Sequence, residues 1–189
     1  NVILKGEVGQ EQTLCDVLSI RNSDVVAHAM GIIAVNQEGT EYINKTVDIW
    51  NDLGFKFYCI STGFMVNKEQ IKIVEKLINN QKKDNLLVVV DPIMGDDGKL
   101  YNGIDELNVE IMRKLGSYAD ILIPNFTEAC YLTNLFKNKT SISKEESIEL
   151  IDKTRILSCK SVIITSVIID GKHFVIGYDC KLNKYFNTK

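Results

Sequence analysis

Prolines are the scarcest informative feature of this 189-residue chain: there are two of them, Pro92 and Pro124, beside one tryptophan and two histidines. Long hydrophobic runs are missing as well. The longest, Leu86–Val90, is strand-sized and far short of the roughly 20 residues a membrane-spanning helix needs. Charge of one sign is also lacking: 22 Lys+Arg stand against 25 Asp+Glu, a net charge of −3 with no long basic stretch. That balance gives no ground for expecting a nucleic-acid or membrane partner. The five cysteines, Cys15, Cys59, Cys130, Cys159 and Cys180, are odd in number and far apart, which fits neither a disulfide framework nor a paired zinc motif. Cys59 and Cys130 lie in apolar stretches and read as small core residues. The expectation is a reduced, cytoplasmic protein.

What is present suits a globular α/β domain: 45% hydrophobic residues and 25% charged ones exclude wholesale disorder. Val2–Leu4, Gly31–Val35, Phe55–Ile60, Leu86–Val90, Ile121–Ile123 and Val162–Thr165 read as strands buried on both faces, because they are apolar without strict polar alternation. Helices are expected between them at Glu11–Arg21, Tyr42–Leu53, Lys68–Asn79, Ile104–Leu115, Thr127–Phe136 and Lys144–Ser158. In the third of these, Ile71, Ile73, Val74, Leu77 and Ile78 make an apolar face, with Lys72, Glu75 and Lys76 outside it. Ser143 and Glu146 have capping-box spacing at the start of the last. Strand–helix–strand alternation predicts a three-layer, doubly wound, mostly parallel sheet in a single domain spanning 1–189. Near the end, Val167–Asp170, Lys172–Tyr178 and Leu182–Phe186 read as short antiparallel edge strands, divided by Asp170-Gly171 and by Asp179–Lys181.

Open parallel sheets bind ligands beyond the carboxyl ends of their strands. Both prolines stand at such places, in Asp91-Pro92-Ile93-Met94-Gly95-Asp96-Asp97-Gly98-Lys99-Leu100-Tyr101 and in Pro124-Asn125-Phe126-Thr127-Glu128. Asp91 directly follows five apolar residues, so its carboxylate needs a cation, a lysine or backbone N–H groups, unless it merely caps a turn. Asp96-Asp97-Gly98 is ordinary turn chemistry and lacks the spacing of a calcium loop. Asn125 and Glu128, three apart at a helix start, are placed either to share an ion or to form a capping box.

These segments resemble the pyridoxamine/pyridoxal kinases, the vitamin B6 kinases of the ribokinase-like superfamily. The similar stretches run from Gly54 to Thr133: GFKFYCISTGFM, VVVDPIMGDDGKLY and ADILIPNFTEACYLT, in the same order and spacing, with VIITSV at Val162–Val167 extending the match. The resemblance implies an ATP- and Mg²⁺-dependent kinase, commonly a homodimer, that phosphorylates the 5′-hydroxymethyl group of pyridoxamine, pyridoxal or pyridoxine. It sets Asp91 beside the ATP phosphates and Mg²⁺, and makes Asn125 and Glu128 an Asn-x-x-Glu pair organising metal, water and phosphate. Metal ligation would fall to Asp91 and Glu128. Thr165 and Ser166 would hydrogen-bond ATP, while Asp96 and Tyr101 match the family pattern.

Two departures qualify these expectations. The family's late Gly-Thr-Gly-Asp sequence, which supplies the phosphoryl cradle and the catalytic base, has no counterpart after Ser166. The chain therefore reads as a domain lacking its C-terminal part, with no catalytic residue of its own and inactive alone. The substrate-binding turns of the N-terminal third are also replaced, by Lys5-Gly6-Glu7-Val8-Gly9-Gln10 and Asn36-Gln37-Glu38-Gly39-Thr40, so no substrate ligand is carried over. The rival readings are a hydroxymethylpyrimidine kinase, and a non-catalytic nucleotide- or vitamin-binding protein of the same fold.

Overall fold

The computed structural model describes residues 3–5, 13–22, 25–34, 37–65, 67–81, 86–158 and 160–189, with side chains from residue 39 onward except Ser158. They form two compact units: Asn1–Ile60 with Met65–Leu86, and Ser61–Phe64 with Leu87–Lys189.

The first unit opens with β1 (Ile3–Lys5), β2 (Thr13–Asn22) and β3 (Val25–Ala34), an antiparallel three-stranded sheet in the order β1-β2-β3. This overturns the helix expected at Glu11–Arg21, of which Glu11 and Gln12 lie outside the described residues. Leu14, Val17 and Leu18 satisfy helical spacing, yet so short an apolar run also satisfies a strand. Pairing decides it: β2 runs antiparallel to β3 along its whole length, from Thr13 opposite Ala34 to Asn22 opposite Val25. The strands expected at Val2–Leu4 and Gly31–Val35 accordingly belong to this antiparallel sheet rather than a parallel one. Val2, Gly6–Gln10, Val35, Asn36 and Val66 fall outside the described residues.

Helix α1 (Gln37–Asp52) then packs with α2 (Lys68–Gln81). α2 buries the expected Ile71, Ile73, Val74, Leu77 and Ile78, together with Gln70 and Gln81, which its apolar pattern does not reveal. Both glutamines are hydrogen-bonded: Gln70 Nε2 donates to Thr40 Oγ1 at 3.1 Å, and Gln81 Nε2 donates to the Phe55 carbonyl at 2.9 Å. Buried amides are tolerated on that condition.

The main sheet has the order β11-β10-β9-β8-β5-β4, built from β4 (Cys59–Thr62), β5 (Leu87–Val90), β8 (Ile121–Leu122), β9 (Ser161–Ile169), β10 (Lys172–Asp179) and β11 (Lys184–Thr188). β5, β8 and β9 run parallel, while β9-β10-β11 is an antiparallel meander. The result is the expected α/β fold with a mostly parallel sheet and antiparallel edge strands near the C-terminus. β4 begins at Cys59, not Phe55, and its alternating burial leaves Cys59 exposed, against the core position expected for it. Cys130 is buried as expected, and burial pushes its thiol up to about 12.

A small hairpin, β6 (Gly95–Asp96) and β7 (Lys99–Leu100), follows β5. Around the sheet lie α3 (Glu106–Gly116), α4 (Phe126–Thr133) and α5 (Lys144–Ser158). Val90, Leu122, Val162 and Ile164 from the strands form the core with Val109, Leu115, Ala129 and Leu150 from the helices. Identifiable chemistry starts α5 and stops α4. Ser143 and Glu146 do form the capping box of α5. At the end of α4, Asn134 takes the left-handed conformation (φ 58°), and Arg113 donates to the Leu132 and Tyr131 carbonyls, each at 2.7 Å.

Candidate active site

The Asp91 and Asn125 loops leave the same edge of the sheet, because β5 and β8 are parallel neighbours. Asp91 leaves β5 with its N–H donated to the Thr62 carbonyl (2.9 Å), and its own carbonyl accepts from Ile93 N–H (2.9 Å) in a tight turn at Pro92. Among the described residues nothing donates to its carboxylate. The Thr62 hydroxyl is likewise buried with no partner among them.

Asn125 is the N-cap of α4, in extended backbone, and forms a reciprocal capping box with Glu128. Asn125 Oδ1 accepts from Glu128 N–H at 2.9 Å, and Glu128 Oε2 accepts from Asn125 N–H at 2.8 Å. The capping reading of this pair is therefore realised. Two further bonds exceed what a cap needs. Glu128 Oε1 accepts from Met94 N–H at 3.1 Å, and Asn125 Nδ2 donates to the Gly95 carbonyl at 2.8 Å. The first turn of α4 thereby grips the chain that follows Asp91.

Burial sets the electrostatics. Glu128 is 3% exposed, and its carboxyl is pushed up to about 7 by burial. The N–H groups of Asn125, Met94 and Gly95 pull it down, and the Asp91 charge pushes it up. Burial also raises Asp91. Partial desolvation, then the charges of Asp96, Glu128, Asp91 and Asp97, raise the Tyr101 hydroxyl, so one tyrosine senses all four carboxylates. Such crowding of negative charge at a sheet edge asks for a cation.

Thr165 and Ser166 join the same edge through the backbone. Thr165 pairs with Asn125 in a parallel bridge, its N–H donated to the Pro124 carbonyl at 3.0 Å. The two strands expected at Val162–Thr165 and Val167–Asp170 are one, interrupted by a bulge. The register with β10 passes from Val167↔Phe174 to Ile164↔Ile176, so Thr165 and Ser166 stand opposite Val175 alone. Ser166 holds φ 59°, in the left-handed region. Backbone strain of this kind persists where the surroundings over-determine it.

The structure thus brings Asp91, Asn125, Glu128, Thr165 and Ser166 to one edge. Reading the sequence missed Thr127, whose hydroxyl accepts from Gly98 N–H at 2.8 Å, and the Met94 and Gly95 backbone groups. The signal for Thr127 was its place between the two members of a capping box. No group of three or more His, Cys, Asp or Glu suited to a metal exists among the described residues. Mg²⁺ asks for less: one or two carboxylates, with water and substrate phosphates completing its shell. Asp91, half-buried with nothing among the described residues donating to its carboxylate, and Glu128, a carboxyl raised by burial, fit such an ion by donor chemistry.

Open α/β sheets in general converge loops on one edge, and comparison with known proteins places this one in the ribokinase-like class. Residues 25–181 match the model of the phosphomethylpyrimidine kinase family, and the chain belongs to that family. A pyridoxal kinase of Arabidopsis thaliana is 31% identical over 176 residues, covering 92% of this chain and 46% of the relative. A pyridoxal kinase of Dictyostelium discoideum is 30% identical over 136 residues, covering 67% and 43%. Among solved structures, a Bacteroides thetaiotaomicron protein provisionally named a phosphomethylpyrimidine kinase and crystallised with pyridoxal is 30% identical, with a TM-score of 0.74 over 84% of this chain and 55% of that one. Plasmodium falciparum PdxK, solved with AMP-PNP and PL, is 26% identical, with a TM-score of 0.63 over 82% and 56%. The chain spans less than half the length of the curated relatives it matches.

Proposed function

We propose that the protein carrying this chain transfers the γ-phosphoryl group of ATP to the 5′-hydroxymethyl group of pyridoxal, pyridoxamine or pyridoxine. The observation that carries the reading is the buried Glu128, which feels the Asp91 charge at the carboxyl edge of β5 and β8, in a chain of the phosphomethylpyrimidine kinase family. Phosphates would be repelled by Asp91, Asp96, Asp97 and Glu128 without an intervening cation. Asp91 and Glu128 would hold Mg²⁺, which when bound neutralises developing charge on the transferring phosphoryl group. Glu128 and Asn125 fix the chain after Asp91, so that its carboxylate is pre-oriented. Thr165 and Ser166 serve ATP from the bulge of β9. The similar structures solved with AMP-PNP and PL and with pyridoxal support the choice of ligands. The two units act as parts of one kinase domain, in a cytoplasmic homodimer.

A second reading, phosphorylation of a hydroxymethylpyrimidine, is favoured by the description of the family that matches. Phosphate transfer from Mg-ATP to each B6 vitamer and to hydroxymethylpyrimidine, assayed side by side, tests both. Transfer to a vitamer supports the first reading, transfer to the pyrimidine alone replaces it with the second, and transfer to neither overturns both.

A further inference from the structure

The β6–β7 hairpin is a two-residue type I′ turn, with Asp97 at φ 49° and Gly98 at φ 77°. Its narrow waist demands glycine: a Cβ at Gly95 would lie 2.4 Å from the Lys99 carbonyl oxygen. Two-stranded hairpins of this size are not stable by themselves in water. This one is fastened at both ends to the first turn of α4. At its base, Asn125 Nδ2 holds the Gly95 carbonyl and Glu128 Oε1 holds Met94 N–H. At its tip, the Gly98 N–H, which the turn's own pairing does not use, is donated to Thr127 Oγ1 at 2.8 Å. Thr127 is 5% exposed, so its hydroxyl is not freely replaced there by water. Asp96 lies between the two fastenings, exposed, with Oδ1 accepting from Asp97 N–H at 2.9 Å.

We infer that Thr127 is a positioning residue: its hydroxyl latches the Gly98 tip so that the hairpin presents Asp96, alongside Asp91, to the metal-bound phosphates of the nucleotide. This rests on the Mg-ATP reading of the same edge and adds a specific residue to it. The latch acts through the hairpin and touches no reacting atom. Without it, the hairpin keeps its base contacts and swings at the tip, and nucleotide affinity falls while the sheet stays intact.

Thr127→Val keeps the shape of the side chain and removes the acceptor, and Thr127→Ser keeps the hydroxyl. The measurements, on the protein as it occurs, are Mg-ATP affinity by calorimetry, KM for the accepting vitamer, and amide exchange at Gly98, Val90 and Leu122. The expected result for Thr127→Val is faster exchange at Gly98 alone and a five- to tenfold weaker Kd for Mg-ATP, about what one neutral hydrogen bond contributes. KM for the vitamer stays put, and Thr127→Ser restores both altered values. Thr127→Ala repeats the arm should the valine variant not fold. Wild-type affinity for Mg-ATP in the variants, with Gly98 freed, overturns the latch and leaves the nucleotide reading standing. A wild-type protein without affinity for Mg-ATP overturns the nucleotide reading and the latch with it.

Discussion

Glu128 carries two duties that conflict. Its oxygens tie Asn125 and Met94 N–H groups, which favours the charged form, yet its burial against Asp91 favours the neutral one, and burial wins. The folded-state carboxyl therefore lies above its ordinary value, so the folded chain holds this proton more tightly than the unfolded chain does. The stabilisation from that proton is complete below pH 4.5 and is lost as pH rises to about 7. For the ligand-free protein, urea titrations across that window are expected to lose roughly 3 kcal/mol to this group, with Asp91 adding in the same direction. Glu128→Gln removes this group's titration, and the loss across the window is expected to shrink to what Asp91 contributes. The same variant is expected to give a smaller thermal shift with Mg-ATP, because the amide keeps the size but not the charge. An unchanged shift would assign Glu128 to helix capping alone.

At the scale of elements, the meander is held by close approach. Gly177 sits where an added Cβ would meet the Val162 carbonyl oxygen at 2.2 Å and the Phe186 ring at 2.5 Å. The Val162 carbonyl cannot retreat, since Val162 belongs to the buried part of β9, and the Phe186 ring, opposite Gly177 on β11, would have to turn away as well. Gly177→Ala is expected to destabilise the chain by about 2–3 kcal/mol in denaturant titrations while leaving the nucleotide affinity of the folded fraction unchanged. The bulge gives the opposite case. Ser166→Gly relieves the left-handed strain, so the variant is expected to be at least as stable as wild type but to bind Mg-ATP about five- to tenfold less tightly for want of the hydroxyl. Equal affinity would remove Ser166 from the ATP site.

Much of this was legible in residues. The apolar runs Leu86–Val90 and Val162–Thr165 read as strands, although Leu87 is exposed, and the Asp-Pro and Pro-Asn pairs marked the edge where side chains converge. Asn125 and Glu128 were legible as a capping box because the pair is local. What failed was non-local. Leu14, Val17 and Leu18 are compatible with a helix until Val25–Ala34 offers them a partner strand. The burial of Gln70 and Gln81, and the bond from Gly98 to Thr127, depend on elements far away in sequence. The bulge at Ser166 was hidden because two short strands and one bulged strand have the same composition.

At the scale of the whole molecule, the edge proposed for nucleotide and metal belongs to a chain that spans less than half the length of the pyridoxal kinases it matches. No helix of the described residues is long and apolar enough to cross a membrane. In the proposed arrangement Asp91 and Glu128 hold the metal and Asp96 faces the phosphates, so none of the three is free to take the substrate's hydroxyl proton, and a missing base typically costs about 10²–10⁴ in rate. These 189 residues alone are accordingly expected to bind Mg-ATP weakly and not to phosphorylate a B6 vitamer, as a phosphorylation assay on them would show. The most direct test of the central claim is phosphate transfer from Mg-ATP to pyridoxal by the protein as it occurs, measured for wild type and for Asp91→Asn. The account predicts turnover in wild type and a loss of about 10²-fold or more in the variant, the range seen when one charge-stabilising group is removed. Equal rates from the two proteins, or no transfer to pyridoxal, pyridoxamine, pyridoxine or hydroxymethylpyrimidine, would contradict it.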